Sequence, residues 1–348
     1  MDATTVAVDV AKNTFEVVLA DREWHIIGRQ RFTRTRFLRF LTTTPAVQLV
    51  MEACSTAHYW GRLAQQHGHR VVLLPAVYVR PYVRRNKTDR TDAEALLEAV
   101  RSGQLPTVPV KRVEQQALVA LHRVREQWMA TRTARINVLR GLLSEHGLLL
   151  PPTAAAALNA VPTVLAEARL PAHLRHVLAL LHEEVRAIEG RIHTLEQELR
   201  ALAATDPVVV RLRTIPGVGL LTATALVGSV GNIHAFRRAR QFASWLGLTP
   251  REYSSGSHRR LGGISKRGDR YLRCLLTHGA RAVLTAAHRR TARSHPLPRL
   301  FQWAKTLQER RGHNKATVAV ANKLGRIVWA VWTKETDFRA TRAAAHAA

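Results

Sequence analysis

The spacing of the first apolar runs limits the architecture most. TTVAVDV (residues 4–10), TFEVVLA and WHIIGRQRF follow one another with short connections and are rich in β-branched and aromatic residues, which predicts a three-strand meander. A helical stretch, TRFLRFLTT, leads to a fourth strand in AVQLVMEAC, and TAHYWGRLAQQHG and HRVVLLPA add a further helix and strand. Strands that first follow one another directly and then alternate with helices predict a mixed sheet covered by helices. Asp9 and Glu52 each stand near the end of an apolar strand, where a carboxylate needs something to neutralise it. A sheet of this order can set those two strands side by side.

Next, NKTDRTDAEALLEAV (residues 86–100) places polar residues ahead of a helical apolar pattern. Asp89 and Asp92 are three apart and point the same way once the first turn forms. Acids in a first turn commonly cap the helix and favour its dipole, and for this segment alone that reading stands. Composition changes the weighing. The 348 residues hold 53 Lys and Arg against 25 Asp and Glu, a formal charge of +28 and a pI near 11.6. In a chain so short of acids, Asp9, Glu52, Asp89 and Asp92 together form a hard-oxygen set suited to Mg²⁺. Two such ions, roughly 4 Å apart, could clamp the attacking and leaving oxygens of a phosphodiester.

The same charge makes nucleic acid the leading partner, with an anionic membrane as its rival. No apolar run reaches the roughly 18 to 20 residues that span a bilayer, and MDATTVAVDV lacks the charged head of a signal peptide, so the expectation is a soluble, cytoplasmic protein with no membrane partner. Cys54 and Cys274 have no metal-ligand spacing and read as buried thiols.

The middle of the chain is helical. After QLPTVPVKR, residues 114–146 carry a basic face that includes Arg123, Arg125, Arg132 and Arg135, and PPTAAAALNAVPTVL interrupts the pattern with prolines. Leu178, Leu181, Val185, Ile188, Ile192, Leu195, Leu199 and Leu202 then recur at alternating spacings of three and four. That periodicity predicts a coiled coil through which the chain forms a homo-oligomer, dimer or tetramer, over about residues 178–202. The alternative is a helical hairpin with residues 114–146 of the same chain. Glu183, Glu184, Glu189, Glu196 and Glu198 concentrate scarce acids here and turn this face toward protein.

In the last third, RTIPGVGLLTATALVGSVG (residues 213–231) reads as a helix-hairpin-helix. Gly217 and Gly219 would let backbone N–H groups approach a phosphate, although a plain helical turn uses the same glycines. Residues 236–249 predict another amphipathic helix, and residues after 300 predict two helices joined around Gly312. Between them, REYSSGSHRRLGGISKRGDRYLR sets Ser254, Ser255, Gly256 and Ser257 among Arg251, Arg259, Arg260, Lys266, Arg267, Arg270 and Arg273. Ser and Gly are ordinary turn formers. His258 is adjacent, but no third member orients it as in a hydrolase triad. The positive charge suits a phosphorane-like transition state, or a loop that grips phosphate without chemistry.

In order, VDVAK, LVMEA and NKTDRTDA resemble the Asp-Glu-Asp-Asp domain of the insertion-sequence transposases of family one hundred and ten, relatives of the Piv-type DNA invertases. GLTPREYSSGSHRRLGGISKRGDRYLR resembles the second block of that family. The periodicity places a helical coiled-coil segment at 109–206, and FRATRAAAHAA at 338–348 reads as a weakly ordered tail. The resemblance implies an α/β RNase H-like (RuvC-like) domain at 1–108 and a mainly α-helical transposase domain at 207–337. It implies Mg²⁺ ligation by Asp9, Glu52, Asp89 and Asp92. It puts the nucleophile on Ser255, aligned through Tyr253 and Gly256, with Ser257 the nearest rival. The implied reaction cuts and rejoins DNA at element ends and targets through a phosphoserine, guided by a structured non-coding RNA, the bridge RNA, in a prokaryotic nucleoid. A RuvC-like nuclease that uses water and a non-catalytic nucleic-acid-binding protein are the alternatives.

Overall fold

The computed structural model describes residues 3–83, 89–103, 105–166 and 170–339; of Asp89 and Arg90 only the backbone is described. Asn86, Lys87 and Thr88 of the acidic motif lie outside these residues, as does the expected tail from 340 onward. The chain separates into two compact units, Met1–Gln116 and Ala117–Ala348.

In the first unit, β1 (Thr5–Val10), β2 (Thr14–Ala20) and β3 (Ile26–Thr33) form the expected meander. Then follow α1 (Arg34–Thr43), β4 (Gln48–Glu52), α2 (Ala57–Gln66), β5 (Arg70–Leu74), the short α3 (Ala76–Val79) and α4 (Asp89–Arg101). The sheet order is β3-β2-β1-β4-β5, antiparallel across the meander and parallel from β1 through β4 to β5. Alternation sorts the side chains. Val6 and Val8 face a core with Phe15, Phe37 and Trp60, while Ala7, Val18 and Val50 face the other side, where Ala93, Leu96 and Leu97 of α4 cover them.

The second unit begins as a helical hairpin. The long helices α5 (Val113–Ser144) and α7 (Ala172–Thr205) run antiparallel, because Arg125, Arg132 and Arg135 pair with Glu196, Glu189 and Glu184 in descending order. Leu178, Val185, Ile188, Ile192, Leu195 and Leu199 are buried inside this chain, at most 8 % exposed. These six residues of the series therefore take the intrachain alternative, while Leu181 is half-buried and Leu202 is 45 % exposed. A three-and-four spacing specifies a partner helix, and it is the same whether that helix comes from this chain or another.

Between the two arms lies α6 (Ala154–Leu165), where the prolines predicted an interruption. Thr153 caps it by accepting from Ala156 N–H. Pro162 has no N–H for the carbonyl of Leu158 one turn earlier. His182 of α7 fills that vacancy, donating from Nε2 to Leu158 O at 3.0 Å.

The remaining elements are α8 (Pro207–Leu212), α9 (Leu220–Val230), α10 (Ala239–Trp245), a hairpin of β6 (Pro250–Glu252) and β7 (Leu261–Ile264), α11 (Arg270–Ala292), α12 (Arg299–Arg311) and α13 (His313–Lys334). The helices enclose a core that includes Leu226, Phe242, Leu276, Leu284, Leu324 and Val328. A buried polar chain crosses it. Thr224 donates to Leu220 O at 2.8 Å, so it accepts from His122 Nε2–H at 2.9 Å, and His122 Nδ1 accepts from the Tyr271 hydroxyl at 3.0 Å. No helix among the described residues is long and apolar enough to cross a membrane.

Candidate active site

The acidic residues converge by register. Val8 pairs with Met51 across the parallel β1–β4 ladder, so Asp9 and Glu52 occupy the next matched position. Both share parity with Ala7 and Val50 and point to the face that α4 covers. Asp92 stands in the first turn of α4, and its Oδ1 is buried without a hydrogen-bond partner among the described residues. Buried carboxylate oxygens are costly when unsatisfied, and a cation is one group that satisfies them. Cys54 reports the local field: burial, with Glu52 and Asp9 beside it, pushes its thiol up. The thiol is half-buried, whereas Cys274 is exposed, against the expectation for both.

Register also supplies a carboxylate that the sequence pattern does not single out. Glu16 on β2 lies directly across from Asp9, on the same face, and pairs with Arg31 at 3.1 Å. Its position is invisible without strand pairing. The Asp89 side chain lies outside the described residues. Among those that are described, no three His, Cys, Asp or Glu side chains are already gathered as an ion's ligand shell.

The serine block is not a plain loop. It forms a two-stranded hairpin in which Tyr253 N–H donates to Arg260 O at 2.9 Å and Ser255 and His258 exchange bonds at 3.2 and 3.1 Å. Gly256 and Ser257 make the turn, with Gly256 at φ +55°, a conformation that favours glycine. Residues 250–263 are all exposed.

The hairpin distinguishes its serines. Ser254 donates to Glu252 Oε1 at 2.8 Å and accepts from Arg260 N–H at 3.2 Å. The Ser254 hydroxyl, with Arg259 beside it, holds the Glu252 carboxyl below its ordinary range. Ser254 thus braces the strands. Ser255 Oγ makes no hydrogen bond among the described residues and stands beside the turn.

The basic residues divide likewise. Arg260, Lys266, Arg267 and Arg270 are exposed, and Arg259, also exposed, donates from Nε to Glu252 Oε1 at 3.2 Å. Arg251, also exposed, reaches Ser265 O at 3.3 Å across the hairpin. Arg273 is half-buried and donates to Leu246 O at 3.2 Å, so its work is to hold the hairpin's base rather than to await a ligand. That base is tight. A Cβ on Gly268 would lie 2.1 Å from Trp245 O, and one on Gly247 2.5 Å from Arg267 O.

The two glycines assigned to phosphate contact also separate. Gly217, at φ +85°, sits against α11, where a Cβ would lie 2.6 Å from Gly279 O. Its lack of a side chain answers an internal packing demand. Gly219 is exposed at the N-cap of α9 with open space around it and remains available.

Comparison with known proteins gives the class. Residues 6–147 match the DEDD transposase family of IS110, and residues 209–295 match the family described as Transposase IS116/IS110/IS902. The chain belongs to the IS110 family of insertion-sequence transposases and is a DNA transposase or recombinase. It is 42 % identical over 343 residues to a probable family 20 transposase of Pseudomonas aeruginosa, covering 97 % of this chain and 99 % of that one. It is 38 % identical over 340 residues to the transposase of insertion sequence element IS1111A of Coxiella burnetii, covering 97 % and 92 %. The pilin gene-inverting protein of Moraxella bovis is a more distant relative, 26 % identical over 360 residues, covering 97 % and 98 %.

Proposed function

We propose that this transposase cuts and rejoins DNA through a phosphoserine on Ser255, assisted by Mg²⁺. The observation that carries this reading is the division of labour in the hairpin: Ser254 is engaged as a brace, while Ser255 and Ser257 stand exposed and unengaged among basic side chains, and of these two the family resemblance selects Ser255. In the reaction, Ser255 Oγ bonds to phosphorus and its proton passes to solvent. The bond from phosphorus to one bridging DNA oxygen breaks, and that oxygen takes up a proton from solvent and leaves as a DNA hydroxyl. Attack on the phosphoserine by a hydroxyl of another DNA end rejoins the strand and frees the serine. Arg259 and Arg260 supply charge for the phosphorane-like transition state.

Asp9, Glu52 and Asp92, with Asp89, would hold the Mg²⁺. The orphaned Asp92 Oδ1 and the register match of Asp9 with Glu52 fit a hard cation. Bound there, Mg²⁺ supplies charge neutralisation to a phosphate. The adjacent strand-end acids also support the RNase H-like reading of the first unit. Guidance by a structured non-coding RNA rests on the family resemblance, since exposed arginines suit any nucleic acid. Because joining two duplexes needs several cuts, the reading includes an oligomer. With the leucine seam covered, its contacts would use the outer sides of the helical hairpin, where Val138, Leu142, Val177 and Leu180 are exposed.

The test incubates the protein with end-labelled DNA bearing element ends, the flanking RNA and Mg²⁺, then denatures and looks for DNA that stays attached to protein. The linked species should form with the parent and with Ser257→Ala and vanish in Ser255→Ala and Asp9→Ala. Cleavage without a linked species, unchanged by Ser255→Ala, would replace this reading with a water-using nuclease.

A further inference from the structure

The helix that follows the serine hairpin has an unusual charge pattern. α11 contains 23 residues and no Asp or Glu. Its buried face carries Leu272, Leu276, Gly279, Ala280, Val283 and Leu284. On the opposite side, Arg270, His278, Arg281 and Arg289 recur at spacings of eight, three and eight, which a 3.6-residue turn brings onto one exposed stripe. The small residues Cys274 and Thr285 occupy the intervening turns and are also exposed.

A solvated helix face normally mixes signs, because opposite charges at i and i+4 stabilise it and positive charge in the first turn opposes the dipole. The first turn of α11 does the reverse, carrying Arg270 and Arg273, whereas Arg289 and Arg290 in the last turn suit the dipole. The arginines of α5 show the contrasting arrangement, since Arg125, Arg132 and Arg135 each meet a glutamate. Arg270, Arg281 and Arg289 have no carboxylate or hydrogen-bond partner for their guanidinium groups among the described residues. The helix runs roughly 34 Å, at 1.5 Å per residue. That is about one helical turn of duplex DNA. It begins directly beyond the hairpin, after the capping Asp269.

We propose that the exposed stripe of α11 is a track for the phosphate backbone of duplex DNA, extending from the serine hairpin along the substrate and contacting it through Arg281 and Arg289, with His278 between Arg270 and Arg281. This rests on the reading of the serine hairpin as the place where DNA is cut. A rigid, acid-free rod of one-turn length, continuous with that hairpin, fits a duplex better than a folded single strand, whose recognition uses aromatic stacking surfaces that the stripe lacks.

The test measures binding of a random-sequence duplex as a function of salt, in the Ser255→Ala protein so that no covalent chemistry contributes. Replacing both Arg281→Gln and Arg289→Gln should weaken binding about tenfold near physiological salt and reduce the slope of log K against log salt by about two, near 0.9 for each lost phosphate contact. Thermal unfolding should be unchanged, since both residues are exposed. Unchanged affinity and slope would overturn the proposal. So would a loss confined to structured RNA, which would assign the stripe to the other nucleic acid. A failure of the phosphoserine reading is distinguishable, because it shows as absence of linked DNA in the active protein whatever the α11 variants do to binding.

Discussion

Ser254 and Ser255 are neighbours of one chemical type, and the hairpin gives their hydroxyls different surroundings. Successive residues of a strand point to opposite sides, so when one hydroxyl turns back to Glu252 and Arg260 its neighbour turns away. Identity in the sequence is the same for both; only pairing with His258 across the turn makes the difference readable. The acids are readable to a different degree. Asp9 and Glu52 end apolar runs, a pattern that marks them out in the sequence but points to a site only when Asp89 and Asp92 are weighed with them, whereas Glu16 becomes visible only when β2 is registered against β1. For Asp92 the fold has a measurable consequence. Mg²⁺ that binds the native acids stabilises the fold by mass action, about 2.7 kcal/mol at a hundredfold excess over its Kd. Millimolar Mg²⁺ should therefore raise the unfolding temperature of the parent and not that of Asp92→Asn, measured by calorimetry without DNA. Equal responses in both proteins would remove Asp92 from the metal site.

Among the elements, the sheet and the terminal helices followed their periodicities, because each pattern had its burying partner nearby in the chain. Three features were less legible. The β6–β7 hairpin has no alternation of buried and exposed residues to betray it, all of residues 250–263 being exposed. The paired helices α5 and α7 leave the identity of the partner unspecified in sequence. α6 contains a proline that a local reading treats as a break, and only His182 from another helix makes that break harmless. The last point predicts a coupling. His182→Ala should cost roughly 1–3 kcal/mol by leaving the Leu158 carbonyl unsatisfied. In a Pro162→Ala background, where the backbone supplies its own N–H to Leu158 O, the same substitution should cost less than about 1 kcal/mol. Urea unfolding of the four proteins of the cycle measures the difference. Additive losses would show that the imidazole is not replacing the missing amide.

For the molecule as a whole, acidity is the condition that acts most directly through the interior of the second unit. Burial, with Arg125 beside it, lowers His122 to about 4. The unfolded imidazole titrates near 6.5, so between those values the unfolded chain binds a proton that the native fold refuses. Stability is complete above about 6.5 and falls as pH drops toward the folded value, by roughly 3 kcal/mol from this residue alone. His58 in the first unit, lowered to about 4 by burial with Lys111 and Arg62 nearby, adds a loss of the same sign. His122→Asn should flatten the pH dependence of the second unit's unfolding between about pH 6.5 and 4, followed by thermal melts; an unchanged slope would show that His122 is not the group responsible. The net charge of +28 draws polyanions over the whole surface, while the serine hairpin has not one buried side chain between residues 250 and 263. A nucleophile carried on such an arm has no dry cavity of its own. Under the proposed mechanism, exclusion of water from the reacting phosphate would have to come from whatever covers the hairpin, and the nucleic acid itself would then be both substrate and cover.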